Sequence, residues 1–502
     1  MVTMSLAFYP IINSIFLGLA HRLYVSYNRG QFRAAQFPEN LQQKDYHVVS
    51  SDQGFVMMAV NHEHGTSQLF SSNERGDTYR LVLSNIRYFQ RKRNNLSLDT
   101  AYTADVHDVK GLNGCFIANQ HWTGGRAANK TVITWDSGKT WHNLTIEEEV
   151  ESTWRVKQMS DGDTLNLHLV KTQTDIGFYA PPILSKESSP GYIVAHGVVG
   201  QTIEERPEKI DLYISTDGGR HWRQRRPTGL NGRFVSTFMD SGAITIAVQM
   251  NPYTPQNQLH FSTTEGLRWQ NVQFAQDKIN VDAILTEPGE LTSVVTIFGH
   301  TSWQKPWQIF TVNMTEQAEN CQDKDYINWE YTDCSKKESK IGMKVTFKRR
   351  KTEVSCLNGP QFKRDRNETN CPDCQLDDYF CSSGWKPTED FRCRNDDHSS
   401  QAEDPSMIKK TNLRPIKAPG NKCVKEFDWV NHDFSGKEIN LRILDDNGKP
   451  STKITYPMYV NAINLKFYQK WGFHTWKNPY TNAQPFQQSP QNSPYPSFFR
   501  NQ

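Results

Sequence analysis

Ser215-Thr216-Asp217-Gly218-Gly219-Arg220-His221-Trp222 decides the fold, because the pattern returns at Thr134-Trp135-Asp136-Ser137-Gly138-Lys139-Thr140-Trp141 and at Ser262-Thr263-Thr264-Glu265-Gly266-Leu267-Arg268-Trp269. Each copy follows a short apolar run (Leu212-Tyr213-Ile214, Val132-Ile133, Leu259-His260-Phe261), so each reads as strand, tight turn, strand. The chemistry is local. Asp136 or Asp217, with the preceding hydroxyl, can bond the turn's own backbone, while Gly138, Gly219 and Gly266 supply the φ > 0 position that other residues resist. Trp141, Trp222 and Trp269 then fold beneath the hairpin as apolar plugs. Two weaker copies lie upstream, one from Ser72 through Gly76 to Tyr79 and a shortened one from Ser26 to Phe32.

The copies begin at residues 26, 72, 134, 215 and 262, about 46, 62, 81 and 47 residues apart. Ser/Thr-x-Asp-x-Gly-x-x-Trp is the Asp-box of β-propellers, and repeats of roughly 40 to 50 residues with four strands each mark propeller blades. The expected fold is therefore all-β, a partial propeller of about five or six blades. The two long intervals must carry insertions or a blade without a box. An Asp-box is a hairpin staple, so these residues define architecture and not an active site.

A formal net charge of +3 over 502 residues gives no global pull toward nucleic acid or anionic membrane. Apolar content is low at 36%, yet 13 Trp, 19 Tyr and 26 Phe are many, which suits a loop-heavy β protein that buries aromatics. Only Cys115 precedes residue 320, whereas Cys321, Cys334, Cys356, Cys371, Cys374, Cys381, Cys393 and Cys423 crowd together in a segment too poor in aliphatics for an ordinary core. Sequons at Asn95, Asn129, Asn143, Asn313 and Asn367 add to the case for an oxidising, lumenal or extracellular setting.

Four regions follow: residues 1–318 propeller-like, 319–423 cysteine-rich, 424–477 unassigned with short strand-like runs, and 478–502 a Pro-, Asn-, Gln- and Ser-rich tail expected to be disordered. The uncharged first 20 residues read as strands of a first blade in preference to a signal peptide, since they lack a basic start and contain Pro10 and Asn13. No other segment offers the roughly 18 uncharged apolar residues that span a bilayer, so no membrane anchor is expected in the chain as written.

From Pro190 to Gly200, through Met239-Asp240-Ser241-Gly242 and Leu285 to Glu290, and on to Cys321-Gln322-Asp323-Lys324-Asp325-Tyr326, Gly342 to Lys351, Cys356-Leu357-Asn358-Gly359 and Asp377 to Gly384, the chain resembles the sortilin-type sorting receptors with their vacuolar-protein-sorting "ten" domain. The resemblance covers roughly residues 15–395. It implies the late blades of a ten-bladed propeller, opening about halfway round, followed by the first half of a ten-cysteine module. A ring that cannot close exposes sheet edges and predicts poor solubility of this chain alone. The resemblance also implies disulfides Cys321–Cys356, Cys334–Cys371 and Cys381–Cys393, leaves Cys423 as the candidate partner of Cys374, and makes Cys115 a buried free thiol. It implies peptide or protein cargo, bound for trafficking among Golgi, endosome, lysosome and plasma membrane. The matching contacts are Arg22, which could fork a peptide carboxylate, and an apolar wall of Tyr46 and Val48.

Other chemistries fit less well. Cys371-Pro372-Asp373-Cys374 has zinc-ligand spacing but lacks a second such pair, and it lacks the βαβ context of a redox motif, so neither metal nor cofactor is expected. His62-Glu63-His64 has no third ligand nearby. Sialidases also carry Asp-boxes and are the serious enzyme alternative, but the chain has no Arg-Ile-Pro motif near its start, and the cysteine module argues for a receptor and against an enzyme. Lys348-Arg349-Arg350-Lys351 could attract glycosaminoglycans, though a structural strand with a solvated basic edge is the preferred reading.

Overall fold

The computed structural model describes residues 4–427 apart from 12–19, 38–42, 52, 63–66, 93–99, 123–127, 151–152, 161, 170–181, 205, 228–229, 231–233, 250–254, 303–305, 336–340, 382–384, 389–391 and 396–414. The region expected beyond residue 427, with its tail, lies outside the described residues.

Short β-branched and aromatic runs separated by turn residues form antiparallel meanders, with only 3-10 turns between them among the described residues. The first meander is β1 (Met4–Ile11), β2 (Ala20–Tyr27) and β3 (Arg33–Ala34). The second is β4 (Gln43–Ser50), β5 (Met57–His62), β6 (Ser67–Ser72) and β7 (Tyr79–Ile86). After the hairpin β8 (Tyr88–Lys92) and β9 (Thr100–Ala104) comes the third: β10 (Val106–Asp108), β11 (Phe116–Trp122), β12 (Ala128–Thr134) and β13 (His142–Asn143). β14 (Thr145–Val150) and β15 (Thr153–Val156) precede the fourth, in which β16 (Thr164–Leu167) and β17 (Ile183–Ser185) share the partner β18 (Ile193–Gly200), followed by β19 (Asp211–Ser215) and β20 (His221–Gln224). The fifth is β21 (Val235–Met239), β22 (Ile244–Val248), β23 (Gln258–Ser262) and β24 (Gln270–Gln273); the sixth is β25 (Asn280–Leu285), β26 (Val294–His300) and β27 (Gln308–Asn313).

The long box-to-box intervals are thereby accounted for. Hairpin β8–β9 fills the first, and β14–β15 with the split inner strand fills the second. Two features depart from a simple blade series. A single pairing, Gln120 opposite Ile86, joins the second and third meanders into one sheet, and β14 runs parallel to β20 as an added outer strand of the fourth.

Period-two alternation explains how the meanders stack. On β5, Met58 and Val60 pack toward Leu23 and Val25 of the first meander, while Met57 and Ala59 pack toward Phe116 and Ala118 of the third. On β11, Ile117 turns to the fourth meander. On β18, Ile193 and Ala195 face back to the third, and Val194, with Tyr192 just before the strand, faces the fifth. On β22, Ile244 and Ile246 meet Val281, Val295 and Ile297 of the sixth. Both faces of β5 and β22 are buried, which is why these runs are largely apolar, whereas β26 of the sixth meander alternates buried and half-buried positions.

The cysteine-rich module contributes the sheet β28 (Tyr326–Thr332), β29 (Met343–Arg350) and β30 (Arg366–Asn370), then β31 (Tyr379–Phe380), β32 (Trp385–Thr388), β33 (Arg392–Asn395) and β34 (Ile416–Lys417). Tyr331, Ile341, Met343, Val345 and Phe347 share one core with Leu112, Ile133, Trp135 and Trp222 of the meanders. Met1–Asn431 accordingly forms one compact unit.

Candidate functional site

The three full Asp-boxes repeat one bonding pattern. Thr134 Oγ1 donates to Asp136 Oδ1 (2.8 Å) and accepts from Gly138 N (3.0 Å), and Asp136 Oδ1 accepts from Thr140 N (2.8 Å). Ser215 Oγ donates to Asp217 Oδ1 (2.8 Å) and accepts from Gly219 N (2.8 Å), with His221 N bonding Asp217 Oδ1 (3.0 Å). In the third box Thr264 stands where the others have Asp, and its hydroxyl still accepts from Arg268 N (3.0 Å) while Gly266 N reaches Ser262 Oγ (2.9 Å). Trp222 is fully buried, and Trp141 and Trp269 are partly so.

The box expected at Ser72 is built differently. Ser72 Oγ accepts from Val56 N and donates to Asn73 O, while Gly76 N bonds Asn73 O instead of the hydroxyl. Asn73 Oδ1 accepts from Asp77 N and Thr78 N, doing the work expected of a carboxylate at Glu74.

These turns form the surface on which the module sits. Trp135 Nε1 of one box donates to Gly218 O of the next (2.8 Å). Tyr331 Oη donates to Asn113 O (2.9 Å), and Arg349 bonds Thr216 O (2.5 Å) and Glu265 Oε2 (2.7 Å) in two successive boxes. Asp240 accepts Asn358 N (2.7 Å) and Gly359 N (2.8 Å) from the module on its two carboxylate oxygens. Burial pushes the Asp240 carboxyl up to about 6, against the opposing pull of those two amides and of Arg350. Arg364 reaches across to Ser188 O and Ser241 O.

This changes the reading of Lys348-Arg349-Arg350-Lys351. The strand is structural, as expected, but its arginines are not a solvated edge: Arg349 is 5% and Arg350 3% exposed, because the turns of the fourth and fifth meanders cover the strand's end. Sequence reasoning also missed Asp240, whose signal was the turn Asp240-Ser241-Gly242, all three at φ between 48° and 85°.

The cysteines pair as Cys321–Cys356, Cys334–Cys371 and Cys374–Cys423. Cys381 is also disulfide-bonded; the side chain of Cys393 lies outside the described residues. Cys115 is a buried free thiol whose ionisation burial pushes far up. Asn143, Asn313 and Asn367 are exposed, Asn95 lies outside the described residues, and Asn129 is described only as a β12 position opposite His121.

The residues expected to touch cargo sit on neighbouring strands. Arg22 lies on β2 opposite Tyr9, and its side chain is outside the described residues. Tyr46 and Val48 lie on β4 opposite Val60 and Met58, half-buried against the cluster between the first two meanders, with Tyr46 6.1 Å from the Phe37 ring. An open groove of about 500 Å³ runs between the module and the loops of the third and fourth meanders, bordered by Lys110, Glu187, Phe347, Arg364 and Arg366. Among the described residues no group of three or more His, Cys, Asp or Glu side chains could hold a metal, and no helix is long and apolar enough to cross a membrane. Glu63 and His64 lie outside the described residues.

The family model for sortilin, neurotensin receptor 3 (Sortilin-Vps10) matches residues 18–284, and the model for its C-terminal part matches residues 286–436. The chain is 33% identical over 380 residues to the sortilin-related receptor of Mus musculus, covering 74% of this chain and 17% of that protein. It is 28% identical over 368 residues to the VPS10 domain-containing receptor SorCS2 of Homo sapiens, covering 73% of this chain and 30% of that protein. The chain thus spans less than a third of the length of these relatives. A solved polysaccharide lyase matches 58% of this chain and 70% of its own at 13% identity and a TM-score of 0.26, and a Hadza microbial sialidase matches 61% and 63% at 11% and 0.24.

Proposed function

The chain belongs to the sortilin family of Vps10-domain receptors, and from that we propose that it is a lumenal or extracellular ligand-binding region that captures peptide or protein cargo for transport among Golgi, endosome, lysosome and cell surface. The observation that carries this reading is the order of parts: stacked Asp-box meanders, then a disulfide-closed module, matched in the same order by the two family models. The meanders are read as late blades of a ten-bladed ring. The work is binding and not catalysis.

Within the ring, Arg22 is the proposed anchor. Its guanidinium can grip a peptide carboxylate through two parallel N–H bonds, with Tyr46 and Val48 as the apolar wall. The test is calorimetry with peptides carrying a free or an amidated C-terminus. Arg22→Ala is expected to weaken the free-acid peptide by roughly tenfold or more, about 1.4 kcal/mol or above, and leave the amide unchanged. Equal affinity of wild type and Arg22→Ala removes Arg22 as anchor. Hydrolysis of a fluorogenic sialoside would overturn the non-catalytic reading.

A further inference from the structure

Where the module meets the fourth and fifth meanders, a narrow, partly open polar cavity of about 10 Å³ is lined by Tyr192, Ser241, Glu265, Arg349, Arg350 and Arg364. That is room for one occupant the size of a water molecule or a small monatomic ion. Its lining is rich in donors with nowhere to donate. Arg350 is 3% exposed, and of its three guanidinium nitrogens only Nη1 has a protein acceptor, Cys356 O at 2.5 Å; Nε and Nη2 have none. Arg364 Nε is likewise buried without an acceptor, although its two terminal nitrogens hold Ser188 O and Ser241 O.

Much of the nearby acceptor capacity is already engaged. Asp240 Oδ1 and Oδ2 take Gly359 N and Asn358 N, and Glu265 Oε2 takes Arg349. Tyr192 Oη is bonded to Thr245 Oγ1. A water can accept about two hydrogen bonds, fewer than the three unpartnered nitrogens Arg350 Nε, Arg350 Nη2 and Arg364 Nε call for, and it brings no charge. An acceptor-only ion can take N–H bonds from both arginines at once. Charge agrees with geometry: Arg349, Arg350 and Arg364 face Glu265 and Asp240, leaving one positive charge over even with both acids ionised, and a buried charge without a partner is strongly unfavourable. Burial lowers the ionisation of Arg350 and brings Arg364 down to about 10, the strain that a bound anion relieves.

We infer that this cavity binds a monovalent, halide-sized anion that fastens the cysteine-rich module to the Asp-box end of the fourth and fifth meanders. A monatomic ion matches the narrow part of that space. The 500 Å³ groove outside, which Arg364 also borders, gives the ion its approach.

The test uses the whole chain and thermal unfolding at fixed ionic strength, with sodium chloride progressively replacing sodium gluconate. Tm is expected to rise by several degrees and saturate, as single-site binding to the folded state requires. Bromide should reproduce the rise, and Arg350→Met should abolish it while conserving side-chain volume. A crystal grown in bromide should show an anomalous peak between Arg350 and Arg364, a result that needs no variant to fold. The same Tm in chloride and gluconate, or a halide-dependent Tm without a peak in this cavity, overturns the proposal.

Discussion

Glu265 occupies the box position held by Ser137 and Gly218, and all three take a left-handed backbone, at φ 49°, 62° and 77°. A glutamate there costs about 1 kcal/mol relative to glycine, which its bond to Arg349 offsets. Glu265→Gly should relax the backbone yet strand a buried guanidinium, a net loss of about 2–4 kcal/mol in chemical denaturation. Adding Arg349→Met should recover most of it; no recovery would mean the pair is not what holds the two residues. The pair was illegible in the sequence because its partners lie 84 residues apart and Arg349 sits in a basic run that reads as a solvated edge. The box turns themselves were legible, since their bonds close within five residues. A second expectation concerns Asp217 and His221, whose Oδ2 and Nδ1 are 2.7 Å apart. The Asp217 hydrogen bond raises the histidine above its usual range. Burial alone would raise the Asp217 carboxyl, but bonds from His221 and Ser215 overcome that and hold it below its usual value. The histidine's contribution is complete below about 6.5 and lost as pH rises through its folded value; the carboxylate's is present above about 3.8 and lost as pH falls through its folded value. The pair thus stabilises most between roughly pH 4 and 6.5. His221→Asn should flatten a Tm-against-pH profile in that window, and an unaltered profile would show the pair contributes nothing.

The inner strands β5, β18 and β22 are held from two sides, and the box glycines belong to that arrangement. A Cβ on Gly219 would lie 2.4 Å from Ile133 Cδ1, and one on Gly266 would lie 2.2 Å from Ile214 Cδ1. Ile133 and Ile214 are each the residue just before the preceding box, so these two box turns are seated on the strand that feeds the box before them, whereas Gly138 rests on Val82 of the strand that leaves the Ser72 turn. The glycine is therefore demanded twice, by its φ of 86° or 77° and by the next meander. Gly219→Ala should cost about 2–4 kcal/mol, the sum of a left-handed penalty and overpacking. Ile133→Val, which removes the clashing methyl, should restore part of that loss in the double variant, whereas strict additivity would show that backbone strain alone is responsible. The sequence carried half of this logic: the turn chemistry is readable in any one repeat, but the second demand arises only when meanders stack. Ser72 illustrates the converse. The repeat was visible, yet a carboxylate one methylene longer at Glu74 left Asn73 to bond the turn, an exchange that pattern matching cannot anticipate.

The sequence splits between a cysteine-poor and a cysteine-rich region near residue 318, and that boundary invites treatment as two independent domains. The core argues for a single cooperative unit. Tyr331, Ile341, Met343, Val345 and Phe347 are buried against Leu112, Ile133 and Trp135, and Trp329 lies over the same face. Burying a large apolar side chain stabilises by about 1.5–3 kcal/mol, so these five together account for on the order of 10 kcal/mol. That equals the total stability of an ordinary domain, about 5–15 kcal/mol. The polar anchors add to it: Asp240 to Asn358 and Gly359, Arg349 to two box turns, and Tyr331 to Asn113. A chain cut after residue 318 should therefore lose its cooperative thermal transition and bind apolar dyes, although every meander strand is still present. Calorimetry of the full chain should likewise show one transition through the whole unit from Met1 to Asn431. Two resolved transitions, or a cut chain melting within a few degrees of the intact one, would show that the meanders stand without the module. Disulfides serve this arrangement by keeping the module's own loops closed, since Cys321–Cys356 and Cys334–Cys371 tether the ends of the sheet that carries the docking face. Reduction should accordingly weaken the meanders as well as the module, because the strands that the disulfides brace supply part of the meanders' own core.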